Sequence, residues 1–137
     1  MLDYQTHIAK DSMFNTPPVF PVYVSMLTMQ WLKDLGGIAA IEKINEKKAN
    51  LIYSEIDLNP VFAGFAAKED RSNMNATFNI TDDTLKEVFD KNCKEAGISG
   101  INGHRSVGGY RASMYNALSL KSVGTLVDIM SELERKG

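Results

Sequence analysis

Apolar and polar residues alternate along this chain with a changing rhythm, and the changes divide it into elements. The opening stretch, MLDYQTHIAKDSMFNTPPVFPVY, sustains no period and carries Pro17, Pro18 and Pro21, which fix φ and push the preceding residues toward extended backbone. It reads as a loop or tether. From about Pro21 the run VYVSMLTMQWLKDL is apolar almost all round, with Tyr23, Met26, Leu27, Met29, Trp31 and Leu32 leaving little polar surface before Gly36 and Gly37. That is a helix over 21–35 which needs neighbours on several sides; left alone it would favour self-association or disorder.

A 3.6-residue rhythm begins at Ile38 and runs through Ile41, Ile44, Leu51, Ile52 and Ile56, with Glu42, Lys43, Glu46 and Lys47 opposite. It predicts a long amphipathic helix ending near Asn59 and Pro60. Two short apolar stretches follow, the second being Asn75 to Ile80, and they read as strands flanking a solvated turn at KEDR, 68–71. Thr81, followed by Asp82 and Asp83, predicts a helix N-terminus. Leu85, Val88, Phe89 and Ala96 form its buried stripe, Cys93 belongs to or borders that stripe, and Gly97 closes it. ISGI and YRASMYNAL are two further strand candidates, and Val123, Leu126, Val127, Met130 and Leu133 mark a final helix. The order α, β, β, α, β, β, α predicts an α+β fold, a short antiparallel sheet covered by helices.

Composition adds mainly exclusions. A chain of 137 residues, 44% hydrophobic and 23% charged, suits one core of ordinary size. Its formal net charge of -2 and pI near 5.7 provide no overall field to attract nucleic acid or an anionic membrane. Any anion site must therefore be local. One cysteine cannot form an intrachain disulfide, and neither a signal-type start nor an apolar run of about 18 residues is present, which points to the cytosol. His7 and His104 lie far apart with no CxxC or HExxH spacing, so no metal site is expected. The methionines and Trp31 read as packing residues, and Cys93 as a buried structural thiol.

The chemistry concentrates in NGHRSVGGYRAS, 102–113. No acidic residue occurs between Glu95 and Asp128, yet His104, Arg105, Arg111 and Lys121 fall in that interval. A solvated basic stretch is one reading. The paired glycines suggest another, because along a straight strand Arg105 and Arg111 would stand about 20 Å apart. A bend at Gly108 and Gly109 would shorten that gap and let two guanidinium forks grip a compact molecule bearing an anion at each end. His104 is either a donor to a phosphate or a structural imidazole tying down the loop. GISGING, 97–103, has the spacing GxxGxxG with no helix after it and reads as turn chemistry. In FNTPP, Asn15 and Thr16 are small donors on a proline-stiffened segment; they face an anion or form an Asx-type turn ahead of a helix.

The strings FNTPPVFPVYV, WLKDLGG, RSNMNATF and NGHRSVGGYRASMYNAL, with a terminal LERKG, resemble phosphoserine aminotransferases, pyridoxal 5'-phosphate enzymes of fold type I. The resemblance runs in order over essentially the whole chain. It implies that His104 and Arg105 lie at the substrate phosphate, that Arg111 grips the α-carboxylate, and that Asn15 and Thr16 contact the cofactor phosphate across a homodimer interface. It also implies amino transfer from glutamate to 3-phosphohydroxypyruvate, giving phosphoserine and 2-oxoglutarate in serine biosynthesis, together with a related step in pyridoxine (vitamin B6) synthesis.

The family's Schiff-base lysine, its aspartate at the pyridine nitrogen and its ring-stacking aromatic all lie upstream of the segment matching Met1. None of the lysines here stands in the Schiff-base context, so no catalytic residue is assigned. The resemblance is thus to the C-terminal portion only, with 1–37 expected as the tail of the large cofactor domain and 38–137 as the small domain. On that expectation the chain is a truncated or proteolysed form, or the product of a split reading frame, and is inactive alone. The alternative is a free-standing domain that binds small anions or a protein partner without chemistry.

Overall fold

The structure is a computed structural model that describes residues 2–136. Met1 and Gly137, the outer ends of the two expected domains, lie outside the described residues. The chain forms two compact units, Met1–Ile38 and Ala39–Gly137.

The first unit holds two helices. The aperiodic start is not wholly loop: Tyr4–Ile8 forms a short helix, α1, whose first turn is capped by the Asp3 carboxylate accepting from the Gln5 N–H at 3.0 Å. Five residues are too few to show a period. The apolar run forms α2, Val19–Asp34, starting two residues before the expected Pro21. Proline fits there because a first-turn N–H has no partner inside the helix. The expected stop at the glycines is a Schellman turn. Gly36 donates to the Lys33 carbonyl and Gly37 to Leu32, at 3.0 and 2.9 Å, with φ of 105° and 77°. α2 buries none of its residues.

The second unit is the α+β fold read from the pattern, with three strands rather than four. α3, Ile38–Leu58, leads to β1, Phe62–Gly64, and β2, Asn75–Ile80; α4, Lys86–Glu95, precedes β3, Tyr110–Ser113, and α5, Leu120–Lys136, ends the chain. The sheet is antiparallel in the order β1-β2-β3, with Phe62 opposite Ile80 and Thr77 opposite Arg111. Alternate strand residues Phe62, Ala76, Phe78, Ile80, Tyr110 and Ala112 join a core with residues of α3, α4 and α5. Thr77, Asn79 and Arg111 occupy the other face. At the centre, Phe89 of α4 meets Phe62, Phe78 and Tyr110 edge-on, with ring centroids 4.9 to 6.2 Å apart.

Several expected details change. ISGI is not a strand, because the Ile98 N–H closes α4 by donating to the Cys93 carbonyl and Gly100 sits at φ 68°. A single isolated bridge among the described residues, Asn102 to Tyr110, joins the end of this segment to the sheet through the Arg111 N–H and the Ile101 carbonyl. α4 is entered through a single 3-10 turn capped by Asp82, not Thr81, whose hydroxyl donates back to the Pro60 and Val61 carbonyls. Val88 is exposed and Ala96 lies on the surface, so the α4 stripe narrows to Leu85, Phe89 and Cys93. Burial pushes the Cys93 thiol up to about 11, with Asp90 adding to the shift, which suits a structural role.

On α3 the buried face is Ile41, Asn45, Lys48, Ala49, Ile52 and Ile56, whereas Ile38 is exposed. Asn59 ends the helix from within the core. Its amide donates to Glu55 Oε1 and the Met130 carbonyl, and its Oδ1 accepts from the Val61 N–H.

KEDR is more than a solvated turn. Arg71 forks both oxygens of Asp57 at 2.9 and 2.7 Å and stacks 4.6 Å over the Tyr53 ring, tying the β1–β2 connection to α3. The Arg71 bond, seconded by Lys68, holds the Asp57 carboxyl at about 2. Because that value lies below the ordinary 3.8, the pair's contribution is complete above pH 4 and disappears as the pH falls toward 2. The urea midpoint of Arg71→Met should therefore lie below that of the parent above pH 4, and the gap should narrow toward pH 2; a pH-independent gap would contradict the ion pair. Phe89→Ala should cost about 3 to 5 kcal/mol of unfolding free energy, followed by circular dichroism.

Candidate functional site

The segment 101–111 folds back on itself beside β2. The Arg111 N–H donates to the Ile101 carbonyl at 2.7 Å and the Gly103 N–H to Gly109 at 2.8 Å. Between these bonds, Val107 and Gly108 both donate to the His104 carbonyl, winding 104–108 into a tight turn. The expected bend at the paired glycines is present, with φ of 75° at Gly108 and 65° at Gly109. A side chain at Gly103 would strike the Gly108 carbonyl, and one at Gly109 would strike the Asn79 amide group and the Phe78 carbonyl. The loop can therefore lie on the open face of the sheet only because both residues lack a Cβ.

This packing sets His104 and Arg111 on one cavity of about 120 Å³, whose walls include Phe65, Thr77, Asn79 and Val107. Arg111 stands on the outer strand β3, opposite Thr77 of the central strand, and is exposed because its neighbours Tyr110 and Ala112 take the buried positions. It also lines a larger cavity, about 350 Å³, between the 97–101 segment, β3 and the start of α5. His104 is exposed, and its Nδ1 lies 2.7 Å from Ser106 Oγ while accepting from the Ser106 N–H at 3.3 Å. With Nδ1 used as an acceptor, the proton of the neutral ring sits on Nε2, which is left as a donor. Arg105 projects from the same turn, exposed, and is not among the residues lining the small cavity. Among the described residues neither Arg105 nor Arg111 pairs with a carboxylate.

Asn15 and Thr16 belong to the first unit. Both are exposed, between the turn at 10–13 and Pro18, the N-cap of α2. Their amide and hydroxyl are small donors ahead of α2, whose first turn adds few: the Val19 N–H donates to the Pro17 carbonyl at 2.8 Å and Pro21 has no N–H.

Pattern reading passed over two polar residues beneath the site. Asn45 Nδ2 donates to Asn116 Oδ1 at 2.8 Å, and the wholly buried Lys48 ammonium donates to the carbonyls of Met114, Tyr115 and Leu118 at 3.0, 2.9 and 3.2 Å. Burial lowers the proton affinity of Lys48. The signal that could have found them is spacing, since 41, 45, 48, 52 and 56 form one helical stripe with two polar members.

The chain belongs to the aminotransferase class-V family, whose model matches residues 1–126. Within that family its similarity is to phosphoserine aminotransferases. It is 67% identical over 136 residues to the one from Flavobacterium psychrophilum, covering 99% of this chain and 38% of the relative. A solved phosphoserine aminotransferase, described in terms of radiation damage to its Schiff base, superposes with a TM-score of 0.89 at 46% identity, covering 99% of this chain and 38% of its own. The pyridoxal-phosphate-bound enzyme from Trichomonas vaginalis gives 0.82 at 36% identity, covering 94% and 37%. The chain thus spans about 38% of the length of the curated relatives it matches. No described helix is long and apolar enough to cross a membrane.

Closure of the loop by glycine contact is testable. Gly103→Ala should speed hydrogen exchange at the amides of positions 103 and 111 while leaving the far-ultraviolet dichroism unchanged. Retained protection at both amides would refute it.

Proposed function

We propose that this chain acts as the C-terminal part of a phosphoserine aminotransferase, exchanging an amino group between glutamate and 3-phosphohydroxypyruvate in serine biosynthesis. The related phosphorylated substrate of pyridoxine synthesis fits the same recognition. The observation that carries the reading is the placing of His104 and Arg111 on one cavity of the open sheet face, with Arg105 free on the same turn. Arg111 is the fork for the α-carboxylate common to both amino acids, and His104 Nε2 and Arg105 are donors for the phosphate of the phosphorylated one.

Pyridoxal 5'-phosphate, when bound, supplies the electron sink that amino transfer requires. Asn15 and Thr16 hold its phosphate, in a homodimer where they serve the neighbouring subunit. On this reading 1–37 is the tail of the large cofactor domain and 38–137 the small domain. The chain works in the cytoplasm as part of a longer polypeptide, and by itself lacks the lysine that carries the cofactor.

The test is a chimera in which residues 1–137 replace the matching segment of the Flavobacterium psychrophilum relative, assayed for glutamate-dependent formation of phosphoserine. The chimera should turn over and the 137-residue chain should not; useful turnover by the isolated chain would overturn the assignment. In the chimera, Arg111→Lys should lower kcat/KM about 10- to 100-fold for both glutamate and phosphoserine, the loss expected from one charge-assisted fork. Arg105→Ala should raise KM for the phosphorylated substrate more than for glutamate, and equal losses would count against its place at the phosphate.

A further inference from the structure

Lys48 is wholly buried on α3, yet it faces no carboxylate among the described residues. Its neighbours are three main-chain carbonyls, those of Met114, Tyr115 and Leu118, at 3.0, 2.9 and 3.2 Å. An ammonium has three N–H donors, so each carbonyl takes one and the group is saturated. One turn earlier on the same face, Asn45 Nδ2 reaches Asn116 Oδ1 at 2.8 Å. Together the two side chains hold the 114–118 turn from beneath.

That turn is the direct continuation of β3. Arg111 lies three residues before Met114, and the Met114 N–H donates to the Met74 carbonyl at 2.7 Å, so the end of the strand and the start of the turn are one hydrogen-bonded piece. Met114 and Leu118, whose carbonyls Lys48 holds, also line the larger cavity beside Arg111. An apolar side chain in place of Lys48 would take the Lys48 donor from the Met114 and Leu118 carbonyls, the first of them buried, and leave Tyr115 with the Leu118 N–H alone, so the turn would have to move to find others. An arginine would not serve either, because a planar fork does not match three converging acceptors in a closed space.

We propose that Lys48 is a positioning residue for substrate carboxylate recognition: by saturating the carbonyls of 114, 115 and 118 it fixes the strand end and cavity wall that aim the Arg111 guanidinium. The proposal rests on the carboxylate role given to Arg111 above. Lys48 touches neither substrate nor cofactor, so its loss acts on binding more than on turnover.

The experiment uses the same chimera and measures kcat and KM separately for glutamate and phosphoserine in three variants. Lys48→Met should raise both KM values about 10-fold or more with kcat changed less than about 3-fold. Ile52→Val, a fully buried residue of the same helix, should lower the melting temperature without moving either KM. Arg111→Lys separates the two claims. If it raises both KM values while Lys48→Met leaves them unchanged, or lowers kcat alone, the positioning role is overturned and the carboxylate role stands; if Arg111→Lys moves neither, the carboxylate role fails and the positioning role with it. Should Lys48→Met not fold, Lys48→Gln decides, since its shorter amide can keep at most two of the three bonds: both KM values should rise about 3-fold or more, and unchanged values would overturn the proposal.

Discussion

A strand can bury only every other residue, and in β3 that rule falls on Tyr110 and Ala112. Tyr110 stacks on Phe78 and meets Phe89 edge-on, and burial together with Asp90 raises its phenol well above the ordinary range. With its neighbours committed to the helices, Arg111 has no choice of face. A slip of one residue would bring a guanidinium among the aromatic rings and turn Tyr110 out of them, a costly exchange. The same parity on β2 turns Thr77 and Asn79 outward beside it. The hydrophobic effect thereby selects the face on which Arg111, Thr77 and Asn79 stand together.

The loop that completes that surface depends on a different constraint. Main chain approaches main chain at Gly103 and at Gly109 more closely than any Cβ allows, and two left-handed residues in a row turn the chain back. His104 is then held by its own turn: Ser106 occupies one ring nitrogen and frees the other. Arg105 has no such restraint. One side chain of the cluster is therefore pre-oriented and another is free to adapt, which suits a site that closes around a ligand in part by side-chain movement.

Much of the architecture was legible because helices and strands repeat. α5 shows its stripe at Val123, Leu126, Met130 and Leu133, all buried, and α3 announces its length through isoleucines. What failed to show had no period to show. α1 is one short turn of helix, and ISGI looks like a strand until the Ile98 amide is spent on closing α4 and Gly100 takes a left-handed conformation. Leu51 and Ile38 were misplaced on the buried face for a different reason: Asn45 and Lys48 occupy it, and a polarity pattern reads them as surface. At the site, the bend between the arginines was legible from Gly108 and Gly109. The company it keeps was not, since Thr77 and Phe65 reach it only through sheet pairing distant in sequence.

The seat of Lys48 has a consequence for chemistry performed on the whole protein. A buried ammonium whose three N–H groups are all engaged has no lone pair to offer, and is sheltered from acylating or alkylating reagents for as long as the surrounding turn holds. Surface lysines such as Lys68 and Lys91 have no such shelter. The ratio of label at Lys48 to label at those positions is thus a built-in clock for opening of the second unit, readable by mass spectrometry without any added probe.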